Sequence, residues 1–279
     1  MQSVAAYQTR PLTSFFGVEL LDVDLADIDA ELGAAIIENF ERHGVLLIRG
    51  QSLSPQQQLE LTALFGEPAP NSRAAYCHPD YPPIYIISNK VVDGRVVGEM
   101  NAGYGWHTDM SYSATPALCT ILHGVETPAE GSDTLLADMC AAYEALPEER
   151  RTAIEGLKVH HSFVSSMAKR SIPITPEQTV KYPDVFHPMV RSHHNGRKSL
   201  WAASMANGVP GMPEPEAQAL LKEMLDFATQ EQFVYRHQWQ PGDVLIWDDR
   251  RTLHTGTKFD DTKYVRYMQR TWVGGDAPF

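Results

Sequence analysis

Apolar residues recur at helical spacing in two clear places along this chain and in short strand-like runs in many more. Between Asp29 and His43, the residues Leu32, Ala35, Ile36 and Phe40 fall on one stripe, which predicts an amphipathic helix. Gly44 ends it, and Val45-Leu46-Leu47-Ile48 follows as a short buried strand. Ser54-Pro55 supplies an N-cap and a first-turn proline for a second helix reaching Leu64, with Gly66 as its stop. Tyr85-Ile86-Ile87 reads as another strand, and the glycine-bearing stretch from Asn89 to Gly105 reads as a loop of the kind that covers active sites. Strands are expected around Ala117 to Gly124 and Thr134 to Ala137, then helices over Met139 to Leu146 and Pro147 to Gly156. The clearest helix is Pro213 to Gln230, where Ala217, Leu220, Leu221, Met224, Leu225 and Phe227 repeat at helical spacing. The end of the chain reads as strands at Phe233 to Trp239, Val244 to Trp247 and Lys263 to Val273, with Pro241-Gly242-Asp243 turning between the first two.

Many short strands with helices around them predict a β-barrel or sandwich core with flanking helices. No repeat or linker forces a boundary, so residues 1–279 are expected to form one domain, with a lid or insertion at 165–195 where Pro173, Pro176, Pro183 and Pro188 interrupt the pattern. The length suits one large domain.

Composition narrows the partners. A net charge of −12 argues against nucleic acid, which rewards concentrated positive charge. No apolar run approaches a membrane span, and Met1 to Arg10 lacks the apolar core of a signal peptide. Cys77, Cys119 and Cys140 are an odd, scattered set that makes no disulfide framework. A cytoplasmic protein is the expectation.

Candidate chemistry sits in two distant segments, Trp106-His107-Thr108-Asp109 and Leu253-His254-Thr255-Gly256. On an extended segment His107 and Asp109 point to one side, so both can reach one ion. His254 would add a third ligand from a remote strand. Two imidazoles and a carboxylate suit non-haem Fe(II) and leave three coordination positions open. Zinc uses the same ligand types, and binding barrels without turnover carry such clusters. The adjacent pairs His160-His161 and His193-His194 point to opposite faces of a strand and are expected to be surface or structural. Arg266 and Arg270, four apart, share a face if extended. Arginine matches a carboxylate with a rigid two-pronged fork, and burying two without acids would be costly. One is expected to hold the distal carboxylate of 2-oxoglutarate, the other the acid of a substrate.

These residues resemble the family of taurine dioxygenase and 2,4-dichlorophenoxyacetate dioxygenase over most of the chain. The landmarks are Trp106 to Asp109, Gly131-Ser132-Asp133-Thr134, Gly242 through Arg250, His254, Arg266, Arg270 and the closing Gly275 to Phe279. Ala228-Thr229-Gln230 through Phe233-Val234-Tyr235-Arg236-His237 looks more like the phenoxyacetate branch. The resemblance implies a double-stranded β-helix, or jelly-roll, with cupin-like core, mainly β with flanking helices. It implies Fe(II) on His107, Asp109 and His254, with 2-oxoglutarate held by Thr134 and Arg266 and dioxygen as the other co-substrate. Arg270 would face the substrate's acidic group, or help with 2-oxoglutarate. His78-Pro79-Asp80-Tyr81-Pro82 resembles a segment whose His and Tyr contact a sulfonate, so His78 and Tyr81 join as candidates, with Met110 lining the pocket and Trp201 as a weaker aromatic candidate. Ser132 departs from the family, which usually has glycine there.

The activity implied is hydroxylation of a small anionic organic molecule, a sulfonate, aryloxyalkanoate or related carboxylate. Succinate and carbon dioxide are released, and the hydroxylated product can fragment. A natural-product tailoring oxygenase acting on an amino-acid-like acid is the alternative, and a metal-binding barrel without turnover is the third reading. Family habit suggests a homo-oligomer.

Overall fold

The computed structural model describes residues 7–169, 171–201 and 206–279. The first six residues of the N-terminal segment and Arg170 of the 165–195 segment therefore lie outside the described residues.

Two sheets face each other. The larger has seven strands in the order Thr9–Pro11, Val18–Leu20, Val45–Ile48, Asp243–Asp248, Ala117–Glu126, Tyr267–Gly274 and Tyr85–Ser88. Its pairs are antiparallel except that Val18–Leu20 runs parallel to Val45–Ile48. The smaller has three antiparallel strands, Val234–His237, Thr134–Asp138 and Thr252–Gly256.

Strand alternation distributes the core into three layers. Val45, Leu47, Leu245, Trp247, Leu122 and Met268 point between the sheets, where Leu136 and Trp239 meet them. The alternate residues Leu46, Ile48, Val244, Ile246 and Ile121 point outward, onto the helices Ala30–His43 and Pro55–Ala63 through Leu32, Ile36, Phe40 and Leu61. Because both faces are covered, these strands read as unbroken apolar runs rather than as alternation. Behind the small sheet, Ala137 and Leu253 pack on Met139–Ala145 and on Ala217, Leu221 and Met224 of the helix Glu214–Ala228.

Local chemistry sets the helix ends. The Asp29 side chain accepts from Leu32 N, and Gly44 closes the first helix in the left-handed region at φ 74°. Ser54 and Gln57 form a reciprocal capping box ahead of Pro55. Pro147 and Pro213 stand at the N-cap of their helices.

Two expectations change, and a third segment gains detail. Asn89 to Gly105 is not all loop, because Val91–Val92 pairs with Arg95–Val96 as a short hairpin. The last strand starts at Tyr267 rather than Lys263, since an Asp260 turn occupies the residues before it. The segment 165–195 is structured: it holds the end of the helix Phe163–Lys169, the helix Pro176–Lys181, and the strands Val185–Pro188 and Val190–Ser192. Val185–Pro188 joins Lys158–His161 and Ala206–Gly208 in a second small sheet whose apolar pattern is too short to read from sequence. No described helix is long and apolar enough to cross a membrane.

Candidate active site and metal centre

His107 and His254 meet as a single antiparallel bridge, with His107 N donating to His254 O at 3.0 Å and His254 N to His107 O at 2.8 Å. The bridge sets their rings 4.1 Å apart between centroids. Asp109 follows two residues later, and one ligand atom from each of the three lies within 4.8 Å of the others. Among the described residues no other cluster of His, Cys, Asp and Glu has this geometry. His107 Nδ1 is 2.7 Å from Gly105 O, which makes Nδ1 the protonated nitrogen and leaves Nε2 as a lone-pair donor toward Asp109. His254 is buried, and burial first, then His107, holds its imidazole well below the usual range, so it is a neutral ligand at ordinary pH.

A second ring of side chains fixes Asp109. Asp249, buried in the turn after Asp243–Asp248, accepts from Asp109 N at 3.1 Å through Oδ1, and its backbone carbonyl accepts from Thr108 Oγ1 at 2.7 Å. Thr120 Oγ1, on the strand Ala117–Glu126, lies 2.9 Å from Asp109 Oδ2 and 2.7 Å from Asp249 Oδ2. One hydroxyl proton cannot serve both carboxylates. Burial first, and the charge of Asp109 second, push the Asp249 carboxyl up, so a proton on Asp249 satisfies the second contact. Burial also opposes ionisation of Asp109, but Arg270 and the two imidazoles outweigh it and hold that carboxyl below the usual carboxylate range. After Asp109 the chain turns sharply through Met110 at φ 59°.

Two cavities open on this centre and share Ala102, Gly103, His107 and Arg270 as walls. The inner one lies between the sheets and is lined by Ile87, Leu122, Trp247 and Met268 from the large sheet and by Thr134, His254 and Gly256 from the small one, with Arg266 at its end. Arg266 is 4% exposed, donates to Met100 O at 2.8 Å and lies over the Phe259 ring, yet its Nε has no partner. Among the described residues no carboxylate pairs with it, and burial lowers its pKa. Thr134 Oγ1 accepts from Trp239 Nε1 at 3.0 Å, which leaves the hydroxyl proton to be donated elsewhere. The inner cavity is therefore an apolar slot with a buried cation and a hydroxyl donor at one end and the histidine pair at the other. An acid with a chelating group at its far end fits that distribution of charge.

The outer cavity is lined by Met110, Tyr112, Met167 and Trp272 and by the polar side chains of Arg73, Tyr85 and Glu99. Glu99 accepts from both Arg73 and the Tyr85 hydroxyl. Arg270 contacts both carboxylate oxygens of Asp109, at 3.3 and 3.2 Å, and lies over the Tyr85 ring.

The expected residues are thus brought together at His107, Asp109, His254, Thr134, Arg266, Arg270 and Met110. His78 and Tyr81 line neither cavity. Their rings pack edge-on at 5.2 Å in a local turn, where His78 Nδ1 accepts from Asp80 N at 3.2 Å and Tyr81 O from Ile84 N at 2.9 Å. Trp201 lies apart from both cavities, stacked on His187 at 5.0 Å. Of the rival histidines, His161 is wholly buried, while His160 binds Asp184 at 2.8 Å. Sequence reasoning assigned no role to Asp249, Thr120, Arg73, Tyr85 or Glu99. Only Asp249 carried a signal, by standing within the Asp-Asp-Arg run close before His254.

Comparison with known proteins agrees with this geometry. The profile of the family described as taurine catabolism dioxygenase TauD, TfdA family matches residues 8–272. The chain is 35% identical to an alpha-ketoglutarate-dependent 2,4-dichlorophenoxyacetate dioxygenase of Cupriavidus pinatubonensis, over 90% of this chain and 92% of that protein. It is 32% identical to an (S)-phenoxypropionate/alpha-ketoglutarate-dioxygenase of Sphingobium herbicidovorans, over 97% and 96%. Among solved structures, AAD-2 in complex with Mn(II) and N-oxalylglycine superposes with a TM-score of 0.83 at 28% identity, covering 98% of this chain and 99% of that one. A taurine dioxygenase from Burkholderia xenovorans gives 0.81 at 30% identity, covering 98% and 90%. The chain belongs to the TauD/TfdA family of 2-oxoglutarate-dependent dioxygenases.

Proposed function

We propose that this dioxygenase hydroxylates a small anionic organic molecule of the aryloxyalkanoate, sulfonate or sulfate-ester type, with His107, Asp109 and His254 holding the metal. The two facing sheets are read as the jelly-roll core of a single domain. The observation that carries the reading is the buried Arg266, unpaired by any described carboxylate, at the far end of a slot whose near end is the histidine pair. Unpaired burial of a charge is costly unless an anion arrives to meet it. The donor set fits Fe(II), since two neutral imidazoles and one carboxylate leave positions open for a chelating acid and dioxygen. Bound there, Fe(II) with 2-oxoglutarate and dioxygen supplies oxidation of a substrate C–H bond, with succinate and carbon dioxide as co-products.

The chain's own residues do the positioning. Arg266 and Thr134 hold the distal carboxylate of 2-oxoglutarate, and Leu122, Trp247 and Met268 exclude water along its length. Arg270 lies on the wall shared by both cavities, and its Nε is unpartnered. With Asp109 committed to a cation, the guanidinium is freed to take the substrate's acid in the outer cavity. Met110, Tyr112 and Met167 give that cavity an apolar side suited to the rest of the molecule. Tyr112 stacks edge-on with Phe163 at 4.9 Å and Tyr182 at 5.5 Å, which supports reading 165–195 as a lid over the mouth. A tailoring role on an amino-acid-like acid is the alternative.

Apo-protein is titrated anaerobically with Fe(II) and then 2-oxoglutarate, and succinate release is followed with phenoxyacetates, alkylsulfonates, sulfate esters and amino acids. The expectation is a 2-oxoglutarate complex that Arg266→Ala weakens, with turnover on an anionic substrate that Arg270→Ala weakens. Equal loss of both acids in both variants would refute this division of labour.

A further inference from the structure

Arg270 is held by more than Asp109. Tyr85 stands directly opposite it where Tyr85–Ser88 pairs with Tyr267–Gly274, so both side chains rise on the face between the sheets. The Arg270 guanidinium lies over the Tyr85 ring, 5.0 Å from its centroid. At that distance the negative face of an aromatic ring attracts a cation.

The ring is fixed at its tip and at its edge. Glu99 accepts from the Tyr85 hydroxyl and from Arg73. Tyr76 packs edge-on against Tyr85 at 6.0 Å, and Arg73 lies over the Tyr76 ring in turn. Glu99 is pinned to the strand of Tyr85, its N donating to Ile86 O at 2.9 Å and its O accepting from Ser88 N at 3.1 Å. Gly98, at φ +96°, lets the chain come that close, because a Cβ there would stand 2.6 Å from Ile86 O. Burial first, then Glu99, push the Tyr85 phenol up, so it stays a protonated donor at ordinary pH.

The acidic groups around Arg270 do not aim it once a metal is bound. Asp109 is the carboxylate in contact, and it then serves the cation. Asp249 also acts on Arg270, but its own carboxyl is pushed up and holds a proton. The Tyr112 phenol acts on it too and is pushed up to about 12, burial first, so it is neutral. A long arginine side chain without a fixed neighbour wanders among its rotamers.

We propose that Tyr85 is a positioning residue for the substrate: its ring, anchored through Glu99, keeps the Arg270 guanidinium aimed into the outer cavity while Asp109 serves the metal. The inference rests on Arg270 receiving the substrate's acid, as proposed above. A guanidinium fixed in advance loses less rotamer freedom when the anion binds.

The test is a double-mutant cycle on kcat/KM, following succinate release with phenoxyacetate, hexanesulfonate and hexyl sulfate. Arg270→Ala is expected to lower kcat/KM on the anion that is turned over. With Arg270 present, Tyr85→Leu should lower it about tenfold, chiefly through KM, and Tyr85→Phe, which keeps the ring without its anchor, about threefold. In the Arg270→Ala background each should change it by less than about twofold. Affinity for 2-oxoglutarate is expected to stay the same in both Tyr85 variants. A wild-type crystal grown with Mn(II) and N-oxalylglycine needs neither variant nor substrate: Arg270 should still lie over the Tyr85 ring with Asp109 on the metal. Undiminished kcat/KM in Arg270→Ala would overturn the role given to Arg270, and this inference with it. A full further loss from Tyr85→Leu on top of Arg270→Ala, a fall in Tyr85→Phe as large as in Tyr85→Leu, or an Arg270 turned away from the ring in the Mn(II) crystal would overturn this inference alone.

Discussion

Asp109 is held by residues that touch no ligand of the reaction. Asp249 takes its backbone N–H, Thr120 approaches its outer oxygen, and Trp247 Nε1 braces Asp249 at 3.3 Å. Groups that orient a ligand typically change metal affinity by roughly 10- to 100-fold when removed. Asp249→Ala is therefore expected to weaken Fe(II) binding by about that factor. Anaerobic calorimetry would show it, with the circular dichroism of the fold retained. Unchanged affinity would mean that Asp249 serves packing alone. At this scale the candidate metal set was legible because His107 and Asp109 are close in sequence and His254 stands in a recognisable run. Asp249 and Thr120 were not, because their roles come from one hydroxyl placed between two carboxylates by the pairing of separate strands.

Among the elements, the approach to Thr134–Asp138 runs through two consecutive left-handed residues. Gly131 has φ +72°, and a Cβ there would stand 2.6 Å from Lys258 O. Ser132, where the family usually has glycine, is itself left-handed at φ 57° and places its hydroxyl 3.4 Å from Arg266 Nη1. The departure from glycine thus adds a polar contact at the end of the inner cavity. Gly131→Ala combines a left-handed backbone with a backbone clash, and a loss of about 2 kcal/mol is expected. Urea unfolding would measure it. Because the strand begins three residues later with Thr134, 2-oxoglutarate binding should weaken alongside. The long helices and buried strands were readable from spacing and capping residues. The strands Lys158–His161, Lys198–Leu200 and Ala206–Gly208 were not, since three or four residues show too little periodicity and depend on partners far along the chain.

Across the whole molecule, several histidines are folded in their neutral form. His161 is wholly buried with neither ring nitrogen hydrogen-bonded, and burial first, then His187, pushes it down to about 3. His187 and His123 are lowered too, mainly by burial. Below a pH of about 6.5 the unfolded chain binds protons that these folded groups refuse, so the contribution is complete above that value and is lost as pH falls. For His161 the window runs from about 6.5 down to its folded value of about 3. Stability is expected to be level above neutrality and to decline by up to ~1.4 kcal/mol per pH unit for each such group. Denaturation midpoints at a series of pH values test this, and His161→Leu should remove one proton's share of the slope. An unaltered slope would exclude His161 as a contributor.

Sequence alone determined the elements whose causes are local: the capped helices, the doubly buried strands, and the candidate metal set with two candidate arginines, because spacing and side-chain chemistry speak for those directly. Tertiary structure alone placed Arg266 in the inner cavity and Arg270 on the wall between the two. It left His78 and Tyr81 outside both and made Tyr85, Glu99 and Arg73 the polar wall of the outer one. Those outcomes depend on strand register and on which charges find partners across the fold, and neither is written in any short stretch of residues.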